Sequence, residues 1–292
     1  MAGSTSGSSS ATVAEGQEQG TQTFAFIAMT CLFFFWGFIT VLNDILIPFL
    51  KESFDLNYTQ AMLVQFCFFG AYFIVSPLAN RLIDMIGYQY GIVVGLLTTA
   101  LGCLLFYPSA DFDVYVLFLV SLFVLGSGIT ILQVAANPYV TALGPEKTAA
   151  SRLNAAQFAN SFGAYLAPMI GTILILGAAA TGASAVQMPY LAMSGVLVAA
   201  ALLFRIIKLP KLAHVEADGV NKQDSLILHM LFSGATILAM AFGQTWLAGI
   251  IVVAAFAYNL FGFREHRQMI LGALAIFLYV GGEVSIGSFL VN

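Results

Sequence analysis

Charge is the scarcest property of this 292-residue sequence. Only 8% of residues are charged, against 60% hydrophobic, and the mean hydropathy is +0.93. A soluble domain carries about 25% charged residues, so the composition excludes a water-facing surface over most of the chain. The ten Lys and Arg are scattered without a basic stripe, which argues against a nucleic-acid partner. Cysteine is nearly absent. Cys31, Cys67 and Cys103 all lie inside apolar runs without metal-ligand spacing, so no metal is expected and they read as small hydrophobes. No Lys or Arg occurs in residues 1–23, a Ser/Gly/Thr/Gln-rich stretch. A secretory signal needs a basic start, so the expectation is a disordered cytoplasmic tail. Enzyme constellations are missing as well. Asp, His and Ser form no triad, no Walker-type phosphate loop occurs, and no cofactor is expected.

What is present is a succession of apolar runs of the roughly 20 residues that one crossing needs. They cover about Phe24–Leu50, Ala61–Ala79, Gly91–Tyr107, Val114–Tyr139, Leu153–Leu176 and Pro189–Ile207. A polar stretch from Lys208 to Asp224 follows. The next run, Ser225–Phe263, is about twice the length of one span and is interrupted at Gly243-Gln244-Thr245. It reads as an inserted hairpin. A last run begins at Met269 and continues to Asn292. The predicted fold class is therefore an all-α, polytopic membrane bundle embedded in lipid. Its expected organisation is a tail (1–23), a six-helix half (24–207), a cytoplasmic linker (208–224), the hairpin (225–263) and the start of a second half (264–292).

Loop charges orient the bundle. With a cytoplasmic N-terminus, nine of the ten basic residues fall in cytoplasmic loops and only Lys51 lies outside, beside Glu52, Asp55, Asp111 and Asp113. That is the positive-inside pattern of an inner-membrane protein. Six spans, a basic linker and further spans suggest a two-half transporter.

Polar groups in hydrocarbon need a partner or a purpose. Asp44 stands in the first run beside Asn43, with no basic residue within a helical turn, and Glu283 stands in the last. An isolated carboxyl in lipid favours its protonated form, and loading and unloading a proton is what a symporter requires. Glu283 is a possible second such group. Gln133 and Asn137 are four apart on one helix face, and Pro138 is expected to end or kink that helix. Asn154, Gln157, Asn160 and Ser161 form a polar stripe at i, i+3, i+6 and i+7. Amides donate and accept, which suits a ligand rich in hydroxyls, although amides also glue membrane helices together. Gln65 is a further candidate, as is Trp36, whose ring could stack on a sugar. Trp246 reads as an interface anchor, and Gly126, Ser127, Gly128, Gly163 and Gly171 read as close-packing positions.

Four segments carry a family resemblance: Phe34–Leu46 (FFWGFITVLNDIL), Gly128–Gly144 (GITILQVAANPYVTALG), Arg152–Gly163 (RLNAAQFANSFG) and Gly272–Asn292 (GALAIFLYVGGEVSIGSFLVN). Through them the chain resembles the fucose–galactose–glucose:proton symporter family of the major facilitator superfamily, within it the glucose/galactose branch. The resemblance implies a twelve-helix, two-half, alternating-access fold with the sugar between the halves. It implies that Asp44 matches the first-helix aspartate that carries the coupling proton. The position of Gln133 is a glutamate in the fucose branch, and a Gln cannot titrate. Asn137, Gln157 and Asn160 match cavity-lining polar positions. The last segment resembles the family's seventh helix, so the second half is nearly absent and the expectation is a chain cut short that needs a C-terminal half to transport.

The expected activity is proton-coupled uptake of a neutral hexose of the glucose or galactose type. The same fold could carry N-acetylglucosamine or fucose, or use sodium. A rival from another class is a non-transporting sugar sensor or remnant.

Overall fold

The computed structural model describes residues 22–176, 182–207, 209–210, 222–241, 244–262 and 267–290, with some side chains inside these ranges left out. The expected tail and most of the expected linker lie outside the described residues. Among those described, every regular element is a helix.

Helix α1 (Thr23–Ser53) starts where the polar tail gives way to the first apolar run. At about 1.5 Å per residue its 31 residues exceed the hydrocarbon thickness. It runs through Pro48 instead of ending there, and Pro48 lacks the N–H that would bond the carbonyl of Asp44. Helix α2 (Tyr58–Asp111) begins on a capping box. Asn57 Oδ1 accepts the Gln60 N–H at 2.9 Å, and Gln60 Oε1 accepts the Asn57 N–H at 3.0 Å. As one rod its 54 residues would extend roughly 80 Å, too long for a single crossing. At Gly87 the backbone adopts φ 81°, ψ 166°, a conformation that a Cβ disfavours. Gly87 thus separates two arms, which are the expected second and third spans.

Helix α3 (Tyr115–Ala142) continues past Pro138, so the expected end of the helix there is not found. The four residues after Pro138 still close a turn, and the proline removes only its own donor. Helix α4 (Ala149–Leu176) follows a one-turn 3-10 helix, Glu146–Thr148, and helix α5 (Gln187–Ile206) is the sixth helical segment when the two arms of α2 are counted apart. Four described helices are long and apolar enough to span a membrane: α1, α2, α3 and the segment Ser184–Ile206. The composition of α4 is lowered by its own stripe of amides.

Two compact units divide the chain, Met1–Asp218 and Gly219–Asn292. Inside the first, α1 packs chiefly on α4, while α2 packs on α3 and α5. The α1–α4 crossing is a backbone contact. A Cβ at residue 37 would overlap the carbonyl oxygen of Asn160, and one at residue 163 would overlap the carbonyl oxygen of Phe34. Gly126 and Gly128 meet the backbones of Phe68 and Thr99, and Gly171 meets Leu42 and Ile45, as expected of close-packing positions. Elsewhere Phe106 stacks on Tyr190 at 4.0 Å, and Gln89 Nε2 donates to the carbonyls of Phe204 and Ile207 at 2.9 and 2.8 Å.

One end of this unit is tied by Arg152, which is buried. Its guanidinium donates to the carbonyls of Val140, Thr141, Gly144 and Pro145 and to the Thr148 hydroxyl. The carbonyls at the C-terminus of α3 carry the negative end of the helix dipole, so a buried cation is met there by fixed oxygen dipoles. Gln22 N–H completes the knot by donating to the Leu143 carbonyl at 2.9 Å.

In the second unit the 225–263 run forms α6 (Lys222–Ala241) and α7 (Thr245–Gly262), followed by α8 (Arg267–Leu290). Phe256 stacks on Phe277 at 4.8 Å. Trp246 is exposed, and its Nε1 donates to Gln244 Oε1 at 2.9 Å.

Two substitutions test this packing. Gly163→Val should destabilise the protein by about 1–3 kcal/mol, because the methyls meet backbone that cannot yield. Arg152→Ala should cost about 3 kcal/mol by leaving several oriented carbonyls unmet, and Arg152→Lys should recover less than half of it. Thermal unfolding in detergent measures both.

Candidate functional site

The polar candidates of the first unit come from four elements. Helix α1 supplies Trp36, Asn43 and Asp44, the first arm of α2 supplies Gln65, α3 supplies Gln133 and Asn137, and α4 supplies Gln157 and Asn160. The structure brings some of these together and gives others a different role.

Asp44 and Gln65 meet. Gln65 Nε2 donates to Asp44 Oδ1 at 2.8 Å across the α1–α2 boundary, and both side chains are half-buried. The other amide atom, Gln65 Oε1, is buried with no hydrogen-bond partner among the described residues. Further along the same boundary Tyr72 lies beside Trp36 and Thr40, and the Thr40 hydroxyl donates to the Trp36 carbonyl at 3.0 Å. Residues 36, 40 and 44 recur at i, i+4 and i+8, and residues 65 and 72 at i and i+7. Each set forms one helix face. The result is an antiparallel polar seam between α1 and α2. Sequence reading missed Tyr72 and Thr40, although their spacing against Asp44 and Gln65 held the signal.

Trp36 is placed differently from the expectation of a stacking platform. It is buried at 8% exposure with its ring centroid 5.2 Å from that of Phe33. Aromatic rings are available instead on α4, where Phe162 and Tyr165 are exposed.

Asn160 joins α4 to α1. Its Nδ2 donates to the Phe33 carbonyl at 3.1 Å, beside the point where Gly37 admits the backbone of residue 160. Asp44 lies seven residues beyond Gly37, about 10 Å along the axis. The stripe on α4 is graded in depth: Asn154 and Ser161 are exposed, while Gln157 and Asn160 are half-buried. On α3, Gln133 and Asn137 are half-buried, and Asn137 Oδ1 has no partner among the described residues. Asn43 is 2% exposed, and neither of its amide atoms has a hydrogen-bond partner among the described residues. Such a group costs about 1–3 kcal/mol when unmet. Glu283 falls on α8, but its side chain lies outside the described residues.

A cleft of about 420 Å³ opens between α1 and α5 and is lined by apolar side chains including Phe35, Phe38, Met188 and Met193. None of the polar candidates lines it. Among the described residues, no His, Cys, Asp or Glu cluster could hold a metal ion.

Residues 25–291 match the model of the Major Facilitator Superfamily. The chain belongs to the Major Facilitator Superfamily. It is thus a multi-pass membrane protein of this superfamily, and the helical bundle has a counterpart among solved structures. FucP, a Major Facilitator Superfamily transporter crystallised in the outward conformation, superposes with a TM-score of 0.60 at 35% identity, over 74% of this chain and 58% of FucP. The glucose/galactose transporter of Brucella abortus (strain 2308) is 48% identical over 283 residues, which is 95% of this chain and 60% of that protein. The L-fucose-proton symporter of Escherichia coli K12 is 46% identical over 151 residues, 52% of this chain and 34% of that protein. The chain therefore spans about three-fifths of the length of the Brucella relative it matches.

Asn160 provides a test of the helix-joining role. Asn160→Ala should lower the thermal stability of the protein by about 1 kcal/mol, the typical worth of an interhelical polar bond in a membrane protein.

Proposed function

We propose that this superfamily member forms part of a proton-coupled transporter that takes up a neutral hexose of the glucose or galactose type by alternating access. The observation that carries the reading is the polar stripe on α4. Gln157, Asn160 and Ser161 lie one to two turns inside the apolar run that starts at Leu153, with Ser161 exposed, and polar groups facing hydrocarbon would be costly. A water-filled cavity containing a hydroxyl-rich ligand accounts for them, since an amide both donates and accepts.

Asp44 is the proton carrier in this reading. Gln133, Asn137 and Gln157 are hydroxyl partners, as is Asn160 through the side-chain oxygen not used on Phe33, and Asn43 offers a further amide. Because Gln133 cannot titrate, the proton rests on Asp44, with Glu283 a second carboxyl. The relatives named for glucose/galactose transport and for fucose–proton symport support a sugar and a proton as the cargo. We place the protein in a bacterial inner membrane with its N-terminus cytoplasmic, from the distribution of basic residues. In the same reading, 225–263 is an inserted hairpin, 264–292 begins a second half, and transport needs the remaining helices of that half.

The test is uptake of labelled glucose, galactose and N-acetylglucosamine in transporter-deficient bacterial cells, using the protein continued to the length of its relatives. Accumulation of a hexose should collapse with an uncoupler and fall to background in Asp44→Asn. Accumulation that survives the uncoupler and follows sodium would replace the proton. No uptake of any sugar by a well-inserted protein would favour a sugar sensor.

A further inference from the structure

We infer that Gln65 is the positioning residue for Asp44: from across the α1–α2 seam its amide sets the proton affinity of the carboxyl and serves it in both protonation states. The inference rests on the reading of Asp44 as the proton carrier, and it changes the role expected of Gln65 from sugar contact to control of the carrier.

Three observations support it. The first is the bond itself, Nε2 to Oδ1 at 2.8 Å. A donor aimed at a carboxylate stabilises the charged form and holds its proton affinity down. The second is the register. Trp36 and Thr40 lie beside Tyr72 on the same two helix faces one to two turns away, so Gln65 faces Asp44 through the rotation of the two helices as well as through its own bond. The third is the unmet oxygen. Gln65 Oε1 is buried and unpartnered among the described residues, an expense that a purely adhesive amide has no reason to carry. Rotating the amide by half a turn exchanges Nε2 for Oε1. That oxygen then accepts the O–H of a protonated Asp44. When the proton leaves to water, the amide rotates back and donates again. One residue thereby satisfies both states without any titration of its own, and no charge is left unmet at either stage of the cycle.

Competing groups are few. Among the described residues on the elements packed against Asp44, the titratable or charged side chains include Cys67 and Tyr72 on the first arm of α2, Tyr115 and Tyr139 on α3, Tyr165 on α4, and Cys31, Lys51 and Glu52 on α1. Phenols and thiols ordinarily titrate far above carboxyls. Lys51 and Glu52 lie about two turns beyond Asp44. Arg81, Asp84 and Arg152 lie toward the opposite ends of their helices.

The experiment is an infrared titration of the protein in vesicles, following the carbonyl stretch of the protonated carboxyl that disappears in Asp44→Asn. Gln65→Leu removes donor and acceptor together. Its midpoint should move up by about one pH unit or more, because the charged form loses the larger interaction. Tyr72→Phe removes a hydroxyl from the seam without touching Asp44 and should leave the midpoint in place. A Gln65→Leu midpoint equal to that of the parent protein overturns the inference, and so does an equal shift in Tyr72→Phe, which would make the effect one of packing. If Gln65→Leu fails to insert, Gln65→Glu decides. Two carboxyls in hydrogen-bond reach share a proton and titrate in two separated steps, and a single step with an unmoved midpoint refutes the pairing. Because the readout needs no sugar, tuning by Gln65 without uptake would sink the transport reading and leave this one standing. Uptake with an unmoved midpoint would do the reverse.

Discussion

The backbone contact between α1 and α4 is the constraint on which the first unit depends. Lipid tails are as apolar as leucine, so helices in a membrane gain little from burying one another and must gain from close approach. Gly37 and Gly163 permit that approach, because each stands where any side chain would strike the carbonyl of the other helix. The rest of the candidate site is set from this crossing. It places the Asn160 amide on the Phe33 carbonyl, and the adjoining face of α1 further along the helix meets α2 through Asp44.

A second constraint is that hydrocarbon offers nothing to unpaired polar atoms. The unit meets it in two ways. Arg152 is surrounded by carbonyl oxygens and a hydroxyl at the end of α3, so a buried cation is matched by fixed dipoles. Several serines and threonines within the spans return to their own helix, as Thr99 does to the Gly95 carbonyl and Thr130 to that of Gly126, while Ser194 donates across to the Ala100 carbonyl. The amides of Asn43, Gln65 and Asn137 are the exceptions, with buried atoms that have no partner among the described residues. These three amides are the ones on which the proposed ligand and proton roles rest.

Much of the architecture was legible in the chain. The apolar runs located the helices of the first unit, because a membrane span is defined by composition over about twenty residues and needs no tertiary partner to be recognised. The two helices inside 225–263 were visible for the same reason. Proline was harder to read. Pro48 and Pro138 resemble stops, yet α1 and α3 run through them, since the loss of one donor is tolerated where the rest of the helix is held by neighbours. Within the site, Asp44 and the stripe of α4 stood out as polar groups in the wrong solvent. What each one does was not visible.

Hydropathy, charge asymmetry and the spacing of amides are properties of local sequence, and they were enough to establish a multi-pass helical protein with its polar residues on particular helix faces. Which faces meet is a different kind of information. The pairing of Asp44 with Gln65, the burial of Trp36 against Phe33 and Tyr72, and the use of Asn160 as a helix tie all depend on the rotation of one helix against another. That rotation follows from the shapes of contacts between residues far apart in the chain, such as Gly37 against Asn160. No periodicity within a single helix encodes it, so it was decided only when the bundle packed.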